Sequence, residues 1–125
     1  MEKVLAFNLG ESQIKSLYRI CSQMKIMVIE VPESQMSKTL NYMVGLKPYK
    51  GEGTAAEEIL KSAAGRSMIV MCGLSDKHID KILAALRITG LDIDYKAVLT
   101  NVNKEWNGVR MFAQMEAEKR AHEGV

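Results

Sequence analysis

The side chains in this chain that are best suited to catalytic chemistry are Cys72 and His78, six residues apart. A cysteine placed between a strand and a helix start can have a lowered pKa, and a nearby histidine could take its proton. No Asn or Asp is evident as the third group that would orient the histidine. Because free cysteine usually packs as a small hydrophobe, we expect a buried, unreactive Cys72. A small cysteine-dependent enzyme that uses Cys72 and His78 is the alternative.

Metal and cofactor chemistry finds little support in the sequence. The 2 histidines, His78 and His122, have no neighbouring cysteine or paired acids, which argues against a metal site. The turns at residues 8–12 and 73–76 contain neither a GxGxxG motif nor a P-loop. Each of these turns also places an acidic residue at a helix start, where it would repel a phosphate. We therefore expect neither a cofactor nor a metal ion.

Composition and charge narrow the class of protein further. A length of 125 residues with 47% hydrophobic residues suits a single domain, residues 1–125, that needs no disulfide or metal to fold. No apolar stretch approaches the roughly 20 residues of a membrane span, and the N-terminal apolar run is too short for a signal peptide. We therefore expect a cytoplasmic protein that does not contact a membrane.

Nucleic-acid binding is a weaker alternative. The formal net charge is +2, and the basic residues are scattered rather than interleaved with aromatic residues. Tyr49 is the only exposed-looking ring that could stack on a base.

An internal repeat, in which Leu9 aligns with Leu74 without a gap, organises the elements that would position these side chains. Apolar residues coincide over the first strand and helix of each copy at Val4/Ile69, Leu5/Val70, Ile14/Ile79, Leu17/Ile82 and Cys21/Leu86. Cys72 aligns with Phe7, which indicates that its position requires an apolar group. Each copy therefore predicts a buried strand followed by an amphipathic helix with one apolar stripe.

The rest of each copy predicts a second strand and a closing helix. The first strands are residues 3–9 and 67–74, and the second strands are residues 25–31 and 92–99. Residues 92–99 alternate apolar and polar side chains, which indicates a solvated face or an edge position. Ser75 is the expected N-cap of the second copy's first helix, and Gly90 its end.

The closing helices are predicted over residues 35–44 and 104–121. Asn103 is the expected N-cap of the second one. The inward-facing residues are predicted to be Met36, Leu40 and Met43 in the first helix, and Trp106, Val109, Phe112 and Met115 in the second.

These elements predict one small α/β domain made of duplicated β-α-β-α units related by a pseudo-twofold axis. The first unit is residues 3–45 and the second residues 67–121. A connector, residues 46–66, joins them and includes a short helix that begins at a capping box of Thr54 and Glu57. The domain would have a four-stranded sheet and about five helices.

The second copy resembles the uncharacterised bacterial family catalogued as domain of unknown function 3783. The resemblance is carried by the turn at residues 72–76, by the run Lys96-Ala97-Val98-Leu99-Thr100, and by Thr100, Asn103 and Trp106 in a T-x-x-N-x-x-W spacing. It implies the architecture, and it implies a site at the Thr100–Trp106 turn. There Lys96 and Lys104 could meet an anion and Trp106 could stack on a ligand, whereas capping and packing explain the same residues structurally.

A non-catalytic module is the function that these observations favour. The 9 methionines and the apolar faces of a small duplicated sheet suit contact with a second copy, another protein or a small ligand. The candidate surface comprises Thr100, Asn103, Lys104, Trp106, Cys72 and His78.

Overall fold

The computed structural model describes residues 1–51 and 65–123, with side chains described as far as residue 121. Its sheet has four strands, which are β1 Lys3–Phe7, β2 Met27–Glu30, β3 Met68–Cys72 and β4 Tyr95–Val98. Their order in the sheet is β2-β1-β3-β4. β1 is parallel to β2, β3 is parallel to β4, and the two central strands are antiparallel to each other. The predicted α/β class with a four-stranded sheet is confirmed.

Four α-helices and two short 3-10 turns lie in the described part of the chain. The helices are α1 Glu11–Gln23, α2 Leu40–Met43, α3 Asp76–Thr89 and α4 Gly108–Glu123, and the turns are Glu33–Gln35 and Asn103–Glu105. The described residues thus contain four helices rather than the five predicted. The predicted connector helix falls on residues 54–64, which lie outside the described residues.

The sheet separates two apolar layers. Alternate residues of β1 face opposite ways, so Val4 and Ala6 join a cluster with the inward stripes of α1 and α3. Leu5 and Phe7 join a second cluster with residues of α2 and α4. The two central strands are therefore covered on both faces, which explains why β3 is buried along its whole length.

Local signals set the ends of α3 as predicted. Ser75 Oγ accepts a hydrogen bond from the backbone N–H of His78 at 3.2 Å, which is the expected N-cap. Gly90 ends the helix in the left-handed region at a φ of 69°. A left-handed residue lets the chain leave the helix while its N–H groups still bond the last carbonyls.

The predicted helix over residues 35–44 is wrong for most of its length. Only Leu40–Met43 is α-helical, after the 3-10 turn at Glu33–Gln35. Thr39 starts this short helix by accepting a hydrogen bond from the N–H of Tyr42 at 3.1 Å. A threonine that bonds the backbone in this way competes with a continuous helix, so the segment is split.

The predicted start of the last helix is also wrong. The helix begins at Gly108, where Asn107 rather than Asn103 accepts a hydrogen bond, 2.8 Å long, from the N–H of Arg110. The buried residues of this helix also differ in part from the prediction. Val109, predicted to face inward, is 62% exposed, and Met111 is buried in its place.

Several backbone features recur at positions that the predicted repeat aligns. β1 and β3 have the same length and start at aligned residues, and so do the starts of α1 and α3. Positive φ angles occur at Asn8 and Gly73, and again at Lys25 and Gly90. The second strands do not start at aligned residues, because the second half has extra residues before β4. The pseudo-twofold duplication itself stays a prediction.

Candidate functional site

Cys72 is the last residue of β3, and its thiol is packed in the core. The residue is 3% exposed and belongs to the apolar cluster on the α2 and α4 side of the sheet. Its Sγ lies 3.5 Å from the carbonyl oxygen of Val70, to which it donates. Burial raises the pKa of the Cys72 thiol to about 12. The thiol is therefore protonated at neutral pH, the opposite of the state that a nucleophile needs.

His78 is bound to Glu2, a residue that sequence reasoning did not single out. Nδ1 of His78 lies 2.7 and 2.8 Å from the two carboxylate oxygens of Glu2. The same carboxylate accepts a hydrogen bond from the backbone N–H of Ser75 at 3.0 Å. These contacts lower the pKa of Glu2, the Ser75 N–H most and the His78 hydrogen bond next. Glu2 thus occupies the positive end of α3, where a bound anion would otherwise be stabilised.

The structure does not pair Cys72 with His78. The side chain of Cys72 lies on the α2 and α4 side of the sheet, whereas α3, which carries His78, packs on the other side. Each group instead has a partner of its own, the Val70 carbonyl for Cys72 and the Glu2 carboxylate for His78.

The turn after β4 is closed by its own side chains. Thr100 N–H donates to Oδ1 of Asn103 at 2.8 Å, and Asn103 N–H donates to Oγ1 of Thr100 at 3.0 Å. The side-chain amide of Asn103, which is 8% exposed, also donates to the carbonyl of Val98 at 3.0 Å. Asn103 therefore fastens the turn to the end of β4 rather than capping a helix. Lys104 is half-buried, and its N–H donates to the Thr100 carbonyl at 3.1 Å.

Trp106 anchors the segment that leads into α4. Its half-buried ring packs against the second apolar cluster, and the guanidinium carbon of Arg110 lies 4.5 Å from the ring centroid. Its carbonyl accepts a hydrogen bond from the N–H of Leu40 at 2.8 Å. The ring is thus covered by the core on one side and by a cation on the other.

The six candidate residues lie at or after the carboxyl ends of β3 and β4. Because these strands are parallel, the residues lie at the same end of the sheet. Their described contacts nevertheless serve separate purposes: core packing, a helix end, a closed turn and an anchor.

A polar cluster at the opposite end of β3 and β4 was missed by the sequence reasoning. The hydroxyl of Tyr95 donates to the carboxylate of Glu116, which raises the pKa of Tyr95 and lowers that of Glu116. Arg66 lies 3.8 Å from Asp94 and 3.9 Å from Glu116. No local signal could have found this cluster, because Glu116 is one of many charged residues along α4.

The two edges of the sheet differ in how they are covered. At β2, the N–H of Tyr49 donates to the carbonyl of Val28 at 2.6 Å, and the Tyr49 ring lies edge-on to Tyr18 with centroids 5.5 Å apart. Tyr49 is only 9% exposed, so its prediction as an exposed stacking ring is wrong. At β4, Lys96 and Val98 are both exposed, and Val98 is exposed by 42%.

A groove of about 500 Å³ lies beside β4, between this strand and the C-terminal half of α3. Its apolar lining residues belong to α3 and the turn after it, and its charged lining residues are exposed. The lining residues are Leu83, Leu86, Arg87, Gly90, Leu91, Asp92 and Lys96. We call this cavity the β4 groove.

Comparison with known proteins confirms the resemblance of the second half. The model of the family described as Domain of unknown function (DUF3783) matches residues 67–121, from the residue before β3 to the last turns of α4. No curated protein and no solved structure matches the chain. Among the helices of the described residues, none is both long and apolar enough to cross a membrane. The same residues hold no group of three or more His, Cys, Asp or Glu side chains that could bind a metal ion.

Proposed function

We propose that this protein is a non-catalytic binding module that acts through contact with another polypeptide, and that the open edge of β4 is the contact surface. The observation that carries the proposal is the difference between the two sheet edges. Tyr49 covers β2, whereas Lys96 and Val98 leave β4 exposed to solvent. Exposed strand edges are templates for pairing with another chain, and proteins usually protect the edges that they do not use.

The hydrogen-bond pattern supports β4 as a usable edge. Tyr95 N–H donates to the Ser67 carbonyl and Leu99 N–H to the Met71 carbonyl. Since backbone groups alternate along a strand, the N–H and C=O of Lys96 point away from β3. The backbone N–H and C=O of Val98 also point away from β3, but the Val98 carbonyl already accepts a hydrogen bond from the side-chain amide of Asn103. Lys96 is therefore the position at which an added strand would pair.

Duplication is the second part of the proposal. Leu5 and Val70, which align in the predicted repeat, lie directly opposite each other in the central antiparallel pair. A twofold axis through that pair would relate β1 to β3 and β2 to β4. The recurring positive φ angles at Asn8/Gly73 and Lys25/Gly90 support the same relation. The proposed ancestor is a single β-α-β-α unit, with the connector added between two copies.

The proposed absence of catalysis is supported by how the chemical groups are engaged. Burial holds the thiol of Cys72 protonated, and His78 is bound to Glu2. A cysteine-dependent enzyme remains the alternative candidate, and the alkylation rate of Cys72 tests it directly. Nucleic-acid binding is the third candidate, and it requires binding that falls steeply with salt. A cytoplasmic location and the absence of a cofactor belong to the same proposal.

Two measurements test the binding proposal. Size-exclusion chromatography with light scattering detects a second copy as the partner, and a thermal-shift panel detects small ligands. We expect self-association at high protein concentration that Lys96→Pro abolishes, because the substitution removes the outward N–H of β4 and leaves the bonds to β3 intact. A strict monomer that no added polypeptide or ligand stabilises would contradict the proposal.

A further inference from the structure

We infer that the β4 groove binds an extended segment of a partner protein, which pairs with Lys96 as an added strand and places an aromatic ring against Leu83, with acidic residues beside the ring. The inference rests on the proposed function and names the chemistry of its partner. Strand addition of this kind obtains affinity from main-chain hydrogen bonds and specificity from pockets for alternate side chains.

In the first half of the chain, a segment of the same chain pairs with the outer strand β2 in this way. Met27 N–H donates to the carbonyl of Glu2, as Tyr95 N–H does to that of Ser67, so Val28 and Lys96 hold equivalent places on the outer strands. The backbone N–H of Tyr49 bonds the Val28 carbonyl. An equivalent segment at β4 would bond the carbonyl of Lys96.

The ring of Tyr49 indicates what fills the groove. It packs on Tyr18 of α1, whose counterpart in the predicted repeat is Leu83 of α3. Leu83 lines the β4 groove, so the cavity lies at the place that corresponds to Tyr49 in the first half. Its volume of about 500 Å³ falls in the range of roughly 300–1,000 Å³ found for small-molecule sites. A cavity of this size has room for one aromatic side chain and the backbone beside it.

Charge distinguishes the expected partner from the chain's own segment. At the first edge, Glu30 shares a cavity with Lys47 and Lys50, which flank Tyr49. At the second edge, the place of Val28 is taken by Lys96, and that of Glu30 by Val98. Arg87 adds a second positive charge to the β4 groove against the one carboxylate of Asp92. Acidic residues therefore suit the flanks of a ring bound there, where the first half has lysines.

Synthetic peptides based on residues 45–51 test the inference with the full-length protein. The main probe carries Lys47→Glu and Lys50→Glu, and three controls change one feature each. The first control keeps both lysines, the second replaces the tyrosine in the acidic peptide by alanine, and the third methylates the tyrosine backbone nitrogen. Binding is followed in ¹H–¹⁵N NMR spectra of the protein by the shifts of Lys96 and Val98, with peptide added to concentrations on the order of millimolar.

We expect the acidic peptide to shift both signals to saturation. Removing the ring should weaken binding about tenfold or more. Methylating the nitrogen should weaken it roughly threefold to tenfold, because one main-chain hydrogen bond is lost. Retaining the lysines should weaken it about threefold, the size typical of exposed charge pairs. In the protein variant Lys96→Glu the preference between acidic and basic peptides should reverse. Lys96→Pro keeps the carbonyl at this position but loses the outward N–H and the lysine charge, so it should bind both peptides more weakly, as followed by the Val98 signal.

The outcomes separate this inference from the proposed function. If none of the peptides shifts Lys96, or if the alanine peptide binds as well as the tyrosine peptide, the inference is wrong. If the peptides fail but the protein self-associates and Lys96→Pro breaks the dimer, the proposed function stands with a second copy as the partner. Failure of both experiments would overturn both. The circular dichroism spectrum of each variant shows whether it folds, and Lys96→Glu keeps the charge test available if Lys96→Pro does not.

Discussion

A reciprocal exchange at the ends of α1 and α3 is a sharp test of the backbone equivalence between the two halves. Gly90 leaves α3 with a φ of 69°, and Lys25, its counterpart in the predicted repeat, leaves α1 with a φ of 57°. Glycine adopts this left-handed region freely, whereas residues with a Cβ are strained there. If the positions are equivalent, Gly90→Ala should destabilise the protein and Lys25→Gly should stabilise it.

The magnitude follows from two opposing effects. A non-glycine residue in the left-handed region costs about 1–2 kcal/mol, while replacing glycine reduces the entropy of the unfolded chain by about 0.4–1 kcal/mol. A Cβ at Gly90 would have no atom within 4 Å, so the backbone conformation decides the result without a steric clash. We expect Gly90→Ala to lower the free energy of unfolding by about 1 kcal/mol. Lys25 is exposed, and Lys25→Gly should raise the same quantity by a similar amount.

Urea unfolding followed by circular dichroism measures both changes as shifts of the midpoint at constant slope. Gly45→Ala is the matched control, because Gly45 is not among the glycines with positive φ and a Cβ there would lie 3.5 Å from the Tyr42 carbonyl, an ordinary contact. The control should be neutral or slightly stabilising. A neutral Gly90→Ala, or a destabilising Lys25→Gly, would refute the reasoning about these two helix ends.

Three further predictions concern the candidate site. Burial raises the pKa of Cys72 to about 12, so iodoacetamide should alkylate it much more slowly in the native protein than in urea; a native rate equal to the unfolded rate would revive the enzyme alternative. Folding lowers the pKa of Glu2, so the stability advantage of the wild type over Glu2→Gln should be complete above about pH 4.5 and disappear as the pH falls through the lowered pKa. Urea unfolding at neutral and acid pH measures this difference in stability, and a difference that does not change with pH would contradict the prediction. Asn103→Ala should cost about 1–3 kcal/mol, because it leaves the Val98 carbonyl and the Thr100 N–H without their partner; Asn103→Asp, which keeps the acceptor alone, should lose less in the same unfolding assay.

The elements that could be predicted are those marked by a pattern of residues close together in the sequence. The continuous apolar run of β3 and the stripe of Ile82 and Leu86 in α3 both follow from short-range periodicity. Ser75 and Gly90 mark the ends of α3 by their own chemistry. These signals need no information from distant parts of the chain, and for this reason the sequence is sufficient to find them.

The two segments that were predicted wrongly are the ones that bind each other. Leu40 N–H donates to the Trp106 carbonyl, and Gly108 N–H donates to the Met36 carbonyl at 2.9 Å. A Cβ at Gly108 would lie 2.7 Å from Sδ of Met36, so the glycine permits this close approach. Pairing between such distant parts of the chain interrupts both of the predicted helices. The periodicity of apolar residues within a helix does not indicate such long-range pairing.

The residues of the candidate site also differ in whether local sequence predicts their surroundings. The burial of Cys72 was predictable because its counterpart Phe7 is apolar. The bond between His78 and Glu2 joins residues far apart in the chain, and no local pattern indicates it. Tyr49 looked exposed because it lies among lysines, proline and glycine, yet the ring of Tyr18 and the edge of β2 bury it.

The two outer strands show how the sequence distinguishes a covered edge from an open one. β2 and β4 both lie at an edge of the sheet, yet only for the second did the alternating residues indicate a solvated face or an edge position. Tyr49 covers β2 at Val28, so Val28 can be apolar. For this reason the sequence of β2 is typical of a buried strand. At the equivalent place β4 has Lys96, whose charged end is compatible with an edge that is exposed to water. If β4 binds a partner reversibly, as proposed, its edge must tolerate both water and the partner, and a lysine with an apolar stem and a charged end satisfies that requirement better than a valine.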